Sequence, residues 1–168
     1  LSLHDALPIF TVLQGMGGTP QVNPSTTGLI AGLTTQTRLS DIYRAILEGI
    51  TFEMHYNQDA LAENGVTFER LYACGGGSRS NVWLQIKADI LGGEIVRVET
   101  EETGAMGSAI LGFAAVTGES PLKIASHFVR YGKHFVPNSA NQAIYERQYA
   151  QYCLLRDFYT KSERYANK

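Results

Sequence analysis

The stretch LYACGGGSRSNVWLQIKAD, residues 71–89, constrains the fold more tightly than any other part of the chain. An apolar run reaches three consecutive glycines, crosses a Ser/Arg/Ser/Asn cluster and continues as an amphipathic helix. Residues 66–74 (VTFERLYAC) alternate early and become apolar late, which predicts a strand ending at the glycines. Trp83, Ile86 and Ile90 recur at i, i+3 and i+7, so the helix has one apolar face. Ser78 or Ser80 is its expected cap, and Leu91-Gly92-Gly93 its end. One glycine between a strand and a helix would require nothing more than a positive φ. Three, followed by two serines and an asparagine at a helix start, point to a ligand. Main chain without Cβ admits a flat base or a phosphate, and the free amides of the helix start can donate to it.

The flanks extend the alternation. Residues 39–63 carry the longest periodic pattern: Ile42, Ile46, Ile50 and Met54 recur every fourth position, with Leu47 and Leu61 near the same face. This predicts a long helix, capped by Ser40 or Asp41 and stopped by Asn64-Gly65. Gly49 inside it costs about 1 kcal/mol relative to Ala and so marks a close neighbour. Residues 94–98 (EIVRV) alternate as a strand. Residues 102–118 (ETGAMGSAILGFAAVTG) read as a third helix, with Glu101 and Glu102 at the positive end of its dipole. Its wealth of small residues (Gly104, Ala105, Gly107, Ser108, Ala109, Gly112) predicts close approach by another backbone or a ligand. Residues 14–28 read as loop, and LIAGL (29–33) as a bend. Tyr145, Tyr149, Tyr152 and Phe158 lie along a helical tail. Helix–strand–helix–strand–helix order indicates an α/β domain. Only two strands are clear, too few for a good sheet, which predicts further elements upstream. Residues 1–9 (LSLHDALPI) resemble no signal peptide and are set aside as non-native or disordered.

The chain has 168 residues and a formal net charge of −2. No basic field favours nucleic acid or an anionic membrane. No apolar run reaches the roughly 20 residues a bilayer requires. Cys74 and Cys153 are the only cysteines and form no CxxC, so neither a zinc site nor a disulfide framework is indicated, and a reducing cytoplasm fits. The chain contains no GxxxxGK[ST] phosphate loop. Gly75-x-Gly77 matches a dinucleotide fingerprint poorly, because Ser80 occupies the third glycine position. His55, His127 and His134 match no metal-ligand spacing. Asp41 and Asp59 belong to a helix of structural pattern, and neither is assigned as a base.

These residues together resemble the FGGY family of carbohydrate kinases, which have the two-domain actin-like, ribonuclease-H-like fold. GGGSRSNVWLQIKADILG (75–92) resembles the family's adenosine-binding segment. VETEETGAMGSAILG (98–112) resembles its next strand and small-residue helix. GLIAGLTTQTRLSDIYRAILEG (28–49) resembles its second signature, ending in Ala45-Ile46-Leu47-Glu48. LQGMGGTP (13–20) resembles the preceding loop, with Thr11 where a proline is common.

The resemblance runs over residues 10–168. It implies the C-terminal nucleotide-binding domain of an actin-like ATPase fold, incomplete on its N-terminal side. It also implies transfer of the ATP γ-phosphoryl group to a small sugar or polyol, with Mg2+, xylulose being the nearest guess. Gly75, Gly76 and Gly77 would form the adenine platform; Ser80 and Asn81 would give polar contacts to the purine or ribose, with Ser80 also able to cap the helix. Trp83 is expected in the core rather than stacked on a ligand. The family's catalytic Asp and Gly-Thr phosphate loop lie before this stretch, so no catalytic residue is expected here. The expected partners are a sugar, ATP and a second copy of the chain. Two alternatives stay open: a non-catalytic actin-like ATP-binding sensor or assembly module, and a piece of a dinucleotide-dependent oxidoreductase.

Overall fold

The computed structural model describes residues 9–11, 28–100 and 102–166. Its elements are β1 (Ile9–Thr11), β2 (Leu29–Ala31), α1 (Leu39–Ala62), β3 (Arg70–Ala73), α2 (Asn81–Leu91), β4 (Glu94–Val98), α3 (Thr103–Thr117), α4 (Pro121–Phe128), β5 (Tyr131–Phe135) and α5 (Ser139–Ala166). A single 3-10 turn, Gly76–Arg79, separates β3 from α2.

The main sheet has the order β3-β4-β5. β3 and β4 are parallel, with Arg70 opposite Glu94 and Ala73 opposite Arg97. Parallel neighbours need a crossover, and α2 provides it. β5 adds antiparallel to β4, with Ile95 opposite Phe135 and an irregularity between Val96 and Val98. The sheet is therefore a strand wider than the sequence predicts. YGKHF hides its strand character because Gly132 and two basic residues break the apolar alternation. Ser120-Pro121, a cap followed by proline at the first helical position, is the overlooked signal for α4.

Three expectations shift elsewhere. β3 begins at Arg70 rather than Val66. LIAGL is not only a bend, because Leu29–Ala31 pairs antiparallel with Ile9–Thr11. Ile9, set aside with the residues before it, thus begins a strand. The loop at 14–28 lies outside the described residues except for Gly28, and Glu101 lies outside them too.

Helix α2 organises the interior by burying two faces. Ile86 and Ile90 join Leu47, Phe52, Tyr145 and Tyr152 in a cluster shared with α1 and α5. Leu84, Ala88 and Leu91 join Ile95 and Phe135 beneath the sheet. A left-handed Gly92 (φ 67°) ends α2, its N–H donating to the Ala88 carbonyl at 3.0 Å.

The face α1 buries differs from the predicted stripe. Ile42, Ile46 and Ile50 are half-buried and Met54 is exposed. The buried set is Arg44, Ala45, Leu47, Glu48, Gly49, Thr51 and Phe52. Gly49 is thus interior, as its cost anticipated. Hydropathy misses this face because two of its members are charged. Arg44 Nε donates to Glu48 Oε1 at 2.7 Å, Arg44 Nη2 donates to the Tyr145 hydroxyl at 2.9 Å, and that hydroxyl donates to Glu48 at 2.9 Å. A buried ion pair whose lone pairs and protons are taken up this way is tolerated inside a protein. The cap also differs: Arg38 is the N-cap, and the Asp41 carboxylate accepts its N–H at 2.9 Å.

Candidate nucleotide site

The three glycines after β3 answer three separate requirements. Gly75 has φ 75° and ψ −170°, a combination essentially confined to glycine. Its carbonyl accepts from the Ser78 amide at 3.1 Å and the Ser78 hydroxyl at 2.7 Å, which closes the turn. At Gly76 an added Cβ would meet nothing within 4 Å, so that backbone faces open space. At Gly77 an added Cβ would lie 2.8 Å from Cζ3 of Trp83, so the indole occupies the volume a side chain would need.

Ser80 is the N-cap of α2, and its Oγ accepts from the Trp83 amide at 3.2 Å. Of the two serines expected to cap, Ser80 does so. Asn81 Oδ1 accepts from Arg97 Nη2 at 2.5 Å, while Arg97 Nε donates to the Ser78 carbonyl at 2.8 Å. Arg97 thus reaches from the end of β4 and ties the turn to the start of α2. A cleft of about 410 Å³ opens here, lined by Gly75, Ser78, Arg79, Arg97, Val98, Glu99 and Thr100. Of the five residues predicted for nucleotide contact, Gly75 lines the cleft itself. Gly76, Gly77, Ser80 and Asn81 adjoin it along the turn.

Arg97, Glu99 and Thr100 are lining residues that motif reading missed. Parallel pairing was the signal for them, since it brings the carboxyl end of β4 beside that of β3, and ligands of open α/β sheets bind outside those ends.

Trp83 is half-buried and packs on the α1–α5 cluster, as expected of a core residue. Its Nε1–H donates to the Leu47 carbonyl at 3.2 Å and to Thr51 Oγ1 at 3.3 Å. The Lys87 ammonium sits 4.2 Å from its ring centroid, and burial pushes the pKa of that lysine below its ordinary value.

The small-residue helix departs from expectation. Cβ atoms added at Gly104, Gly107 and Gly112 would meet nothing within 4 Å. Among the described residues of α3 only Ala114 is buried, and α4 is the neighbour it packs on. Nothing in the described chain makes the close approach its glycines predicted; Ser108 merely bonds the Gly104 carbonyl at 3.0 Å.

Asp41, Asp59, His127 and His134 each have a structural partner. Asp41, in the first turn of α1, accepts the N–H of the N-cap Arg38, and Asp59 accepts from the Tyr149 hydroxyl. His127 Nδ1 lies 2.8 Å from the Lys123 carbonyl, and His134 Nδ1 lies 2.6 Å from Glu94. Among the described residues no group of three or more His, Cys, Asp or Glu could hold a metal ion. None of their helices is long and apolar enough to cross a membrane.

Residues 6–116 match the family model described as "FGGY family of carbohydrate kinases, C-terminal domain". The chain belongs to the FGGY family of carbohydrate kinases. A ribulokinase of Geobacillus thermodenitrificans is 37% identical over 151 residues, covering 84% of this chain and 26% of its own length. A xylulose kinase of Bacillus subtilis is 31% identical over 146 residues, covering 86% and 29%. The crystal structure of a xyloylose kinase from Brucella ovis superposes with a TM-score of 0.79 at 30% identity, over 92% of this chain and 32% of that one. The chain therefore spans between a quarter and a third of the length of these FGGY relatives, and its fold is the actin-like fold of sugar kinases. Membership of this family removes the dinucleotide-oxidoreductase reading.

Proposed function

We propose that residues 10–168 supply the adenosine-binding part of an ATP-dependent kinase acting on a small sugar or polyol. A ketopentose such as xylulose or ribulose is the preferred acceptor, since relatives of both names match. The observation that carries this reading is the bare backbone of Gly75 and Gly76 beside the cleft at the carboxyl ends of two parallel strands.

In this reading the purine lies against Gly75–Gly77: a Cβ at Gly75 or Gly76 would enter the open space beside the turn, whereas one at Gly77 would meet Trp83 beneath it. Ser80 holds the first turn of α2 open toward the ligand. Arg97 orients the Asn81 amide so that its NH2 group faces outward, where an acceptor on the base or ribose can meet it. Arg79 and Arg97 outnumber the Glu99 carboxylate among the charged residues lining the cleft, a balance suited to a nucleotide's phosphates. ATP supplies the γ-phosphoryl group for transfer to a sugar hydroxyl. None of the residues here is assigned the carboxylate that accepts the hydroxyl proton, and no step is routed through Mg2+.

The complete reading frame tests the proposal through ADP production with xylulose, ribulose, pentitols and glycerol. Sugar-dependent turnover with at least one of them is expected. ADP binding without turnover on any of them would replace the kinase reading with that of a non-catalytic ATP-binding module.

A further inference from the structure

The glycine turn is supported from behind by one side chain, and that side chain is fastened to a different helix. Trp83 lies directly under Gly77, close enough that a single added methyl would collide with it at 2.8 Å. Its indole N–H is divided between the Leu47 carbonyl and Thr51 Oγ1 on α1. Thr51 is fully buried, and its own hydroxyl proton is committed to the Leu47 carbonyl at 2.7 Å. The hydroxyl therefore presents a lone pair, not a proton, to the indole, which can only donate. The ring is fixed at its edge by α1, on one face by Lys87, and against the turn by contact with Gly77.

We propose that Trp83 is a positioning residue for the nucleotide, with Thr51 as its anchor. Resting on the kinase reading above, it holds the Gly75–Gly77 backbone at the height that receives the purine. Thr51 and Leu47 set where the indole stands. None of the three touches the ligand. Helix α1 is thereby linked to the nucleotide cleft through one indole hydrogen-bond pair, although no residue of α1 lines the cleft.

The test uses the complete reading frame and three substitutions: Trp83→Phe, which keeps a ring but removes the N–H; Thr51→Val, which removes the acceptor at equal size; and Thr51→Ser, which restores the hydroxyl. Trp83→Phe and Thr51→Val are each expected to raise KM for ATP about fivefold, the factor that one neutral hydrogen bond contributes. The sugar KM and kcat should stay within about twofold, and Thr51→Ser should return KM for ATP to the parent value. The double variant should be no worse than Trp83→Phe alone, because that substitution already removes the contact with Thr51. A role in general stability would instead lower kcat by reducing the folded fraction and leave KM for ATP unchanged, and that result overturns the proposal. So does an additive double variant. Titration calorimetry with ADP repeats the comparison without turnover. A parent protein that phosphorylates no sugar but binds ADP, with weaker binding in Thr51→Val, removes the kinase reading and keeps the support role. A parent that binds no ADP removes both.

Discussion

Helices α3 and α5 reverse what their compositions suggest. α3 is the most apolar helix of the chain, yet among its described residues only Ala114 is buried, and Val116 is 87% exposed. α5 is rich in polar and charged residues, yet Tyr145 and Tyr152 are among the most buried side chains of the protein. The difference lies in placement and partners. Tyr145, Tyr149 and Tyr152 fall at i, i+4 and i+7, and their rings surround Phe52 of α1 at centroid distances of 6.3, 6.0 and 5.5 Å. Each hydroxyl reaches a carboxylate on α1: Glu48, Asp59 and Glu53 respectively. Arg156 extends the seam, donating to Glu53 at 3.1 Å and lying 3.8 Å over the Tyr56 ring. A tyrosine buries its ring at little cost when its hydroxyl finds a partner, so a polar-looking helix can build a core. An apolar helix packed chiefly on the short α4 buries little.

The largest effect is expected at the centre of this seam. Phe52→Ala should cost about 3–5 kcal/mol by denaturant unfolding, the usual range for a buried aromatic truncation. Leu111→Ser and Val116→Ser on α3 should stay within about 0.5 kcal/mol in this chain. Equal costs on the two helices would break the contrast.

Next is the buried pair of Arg44 and Glu48. Burial alone would favour a neutral guanidinium, but Glu48 and Tyr145 outweigh it and hold Arg44 firmly protonated. Burial pushes the Glu48 carboxyl upward against the opposing pull of Arg44. Glu48→Leu alone leaves a buried cation and should cost about 3 kcal/mol, whereas Arg44→Leu/Glu48→Leu should recover most of that. A double variant as unstable as the single one would show that the charges themselves hold α5 in place.

Gly75→Ala should cost about 1–3 kcal/mol because of its φ and ψ. In the kinase reading it should also weaken ADP binding, measured by calorimetry. Retained affinity would remove the glycine platform from the proposed site.

The smallest effect concerns His55, whose ring lies 4.1 Å from that of Tyr149. Burial lowers its pKa below the ordinary 6.5, with Asp59 pulling the other way. The folded protein thus binds this proton less readily than the unfolded chain. The resulting stability is complete above pH 6.5 and is lost as the pH falls through 6.5 toward the lower folded value. His55→Gln should lose less stability than the parent between pH 7.5 and pH 5, as measured by thermal midpoints. Equal slopes would mean that the imidazole is not desolvated against Tyr149.

The local elements were the legible part of the fold. α2, β4 and the left-handed stop at Gly92 follow from periodicity and glycine placement within about ten residues of chain. The glycine turn was legible for the same reason, because backbone that must adopt φ 75° declares itself by lacking Cβ. The second half of the cleft was not. Arg97 reads as the polar position of an alternating strand, and only the register of β4 on β3 brings it to the Ser78 carbonyl and the Asn81 amide.

From the sequence came α1, α2, β4, α3 and the strand leading into the glycines, the family and the special backbone at 75–77, since each depends on neighbours in the chain. The tertiary structure alone decided which face of α1 is interior, that Trp83 stands beneath Gly77, and that Tyr145 closes a ring with Arg44 and Glu48. Those contacts join residues up to 101 positions apart. Their energy comes from partners that satisfy a buried charge or hydroxyl, and no hydropathy pattern along the chain records where such a partner lies.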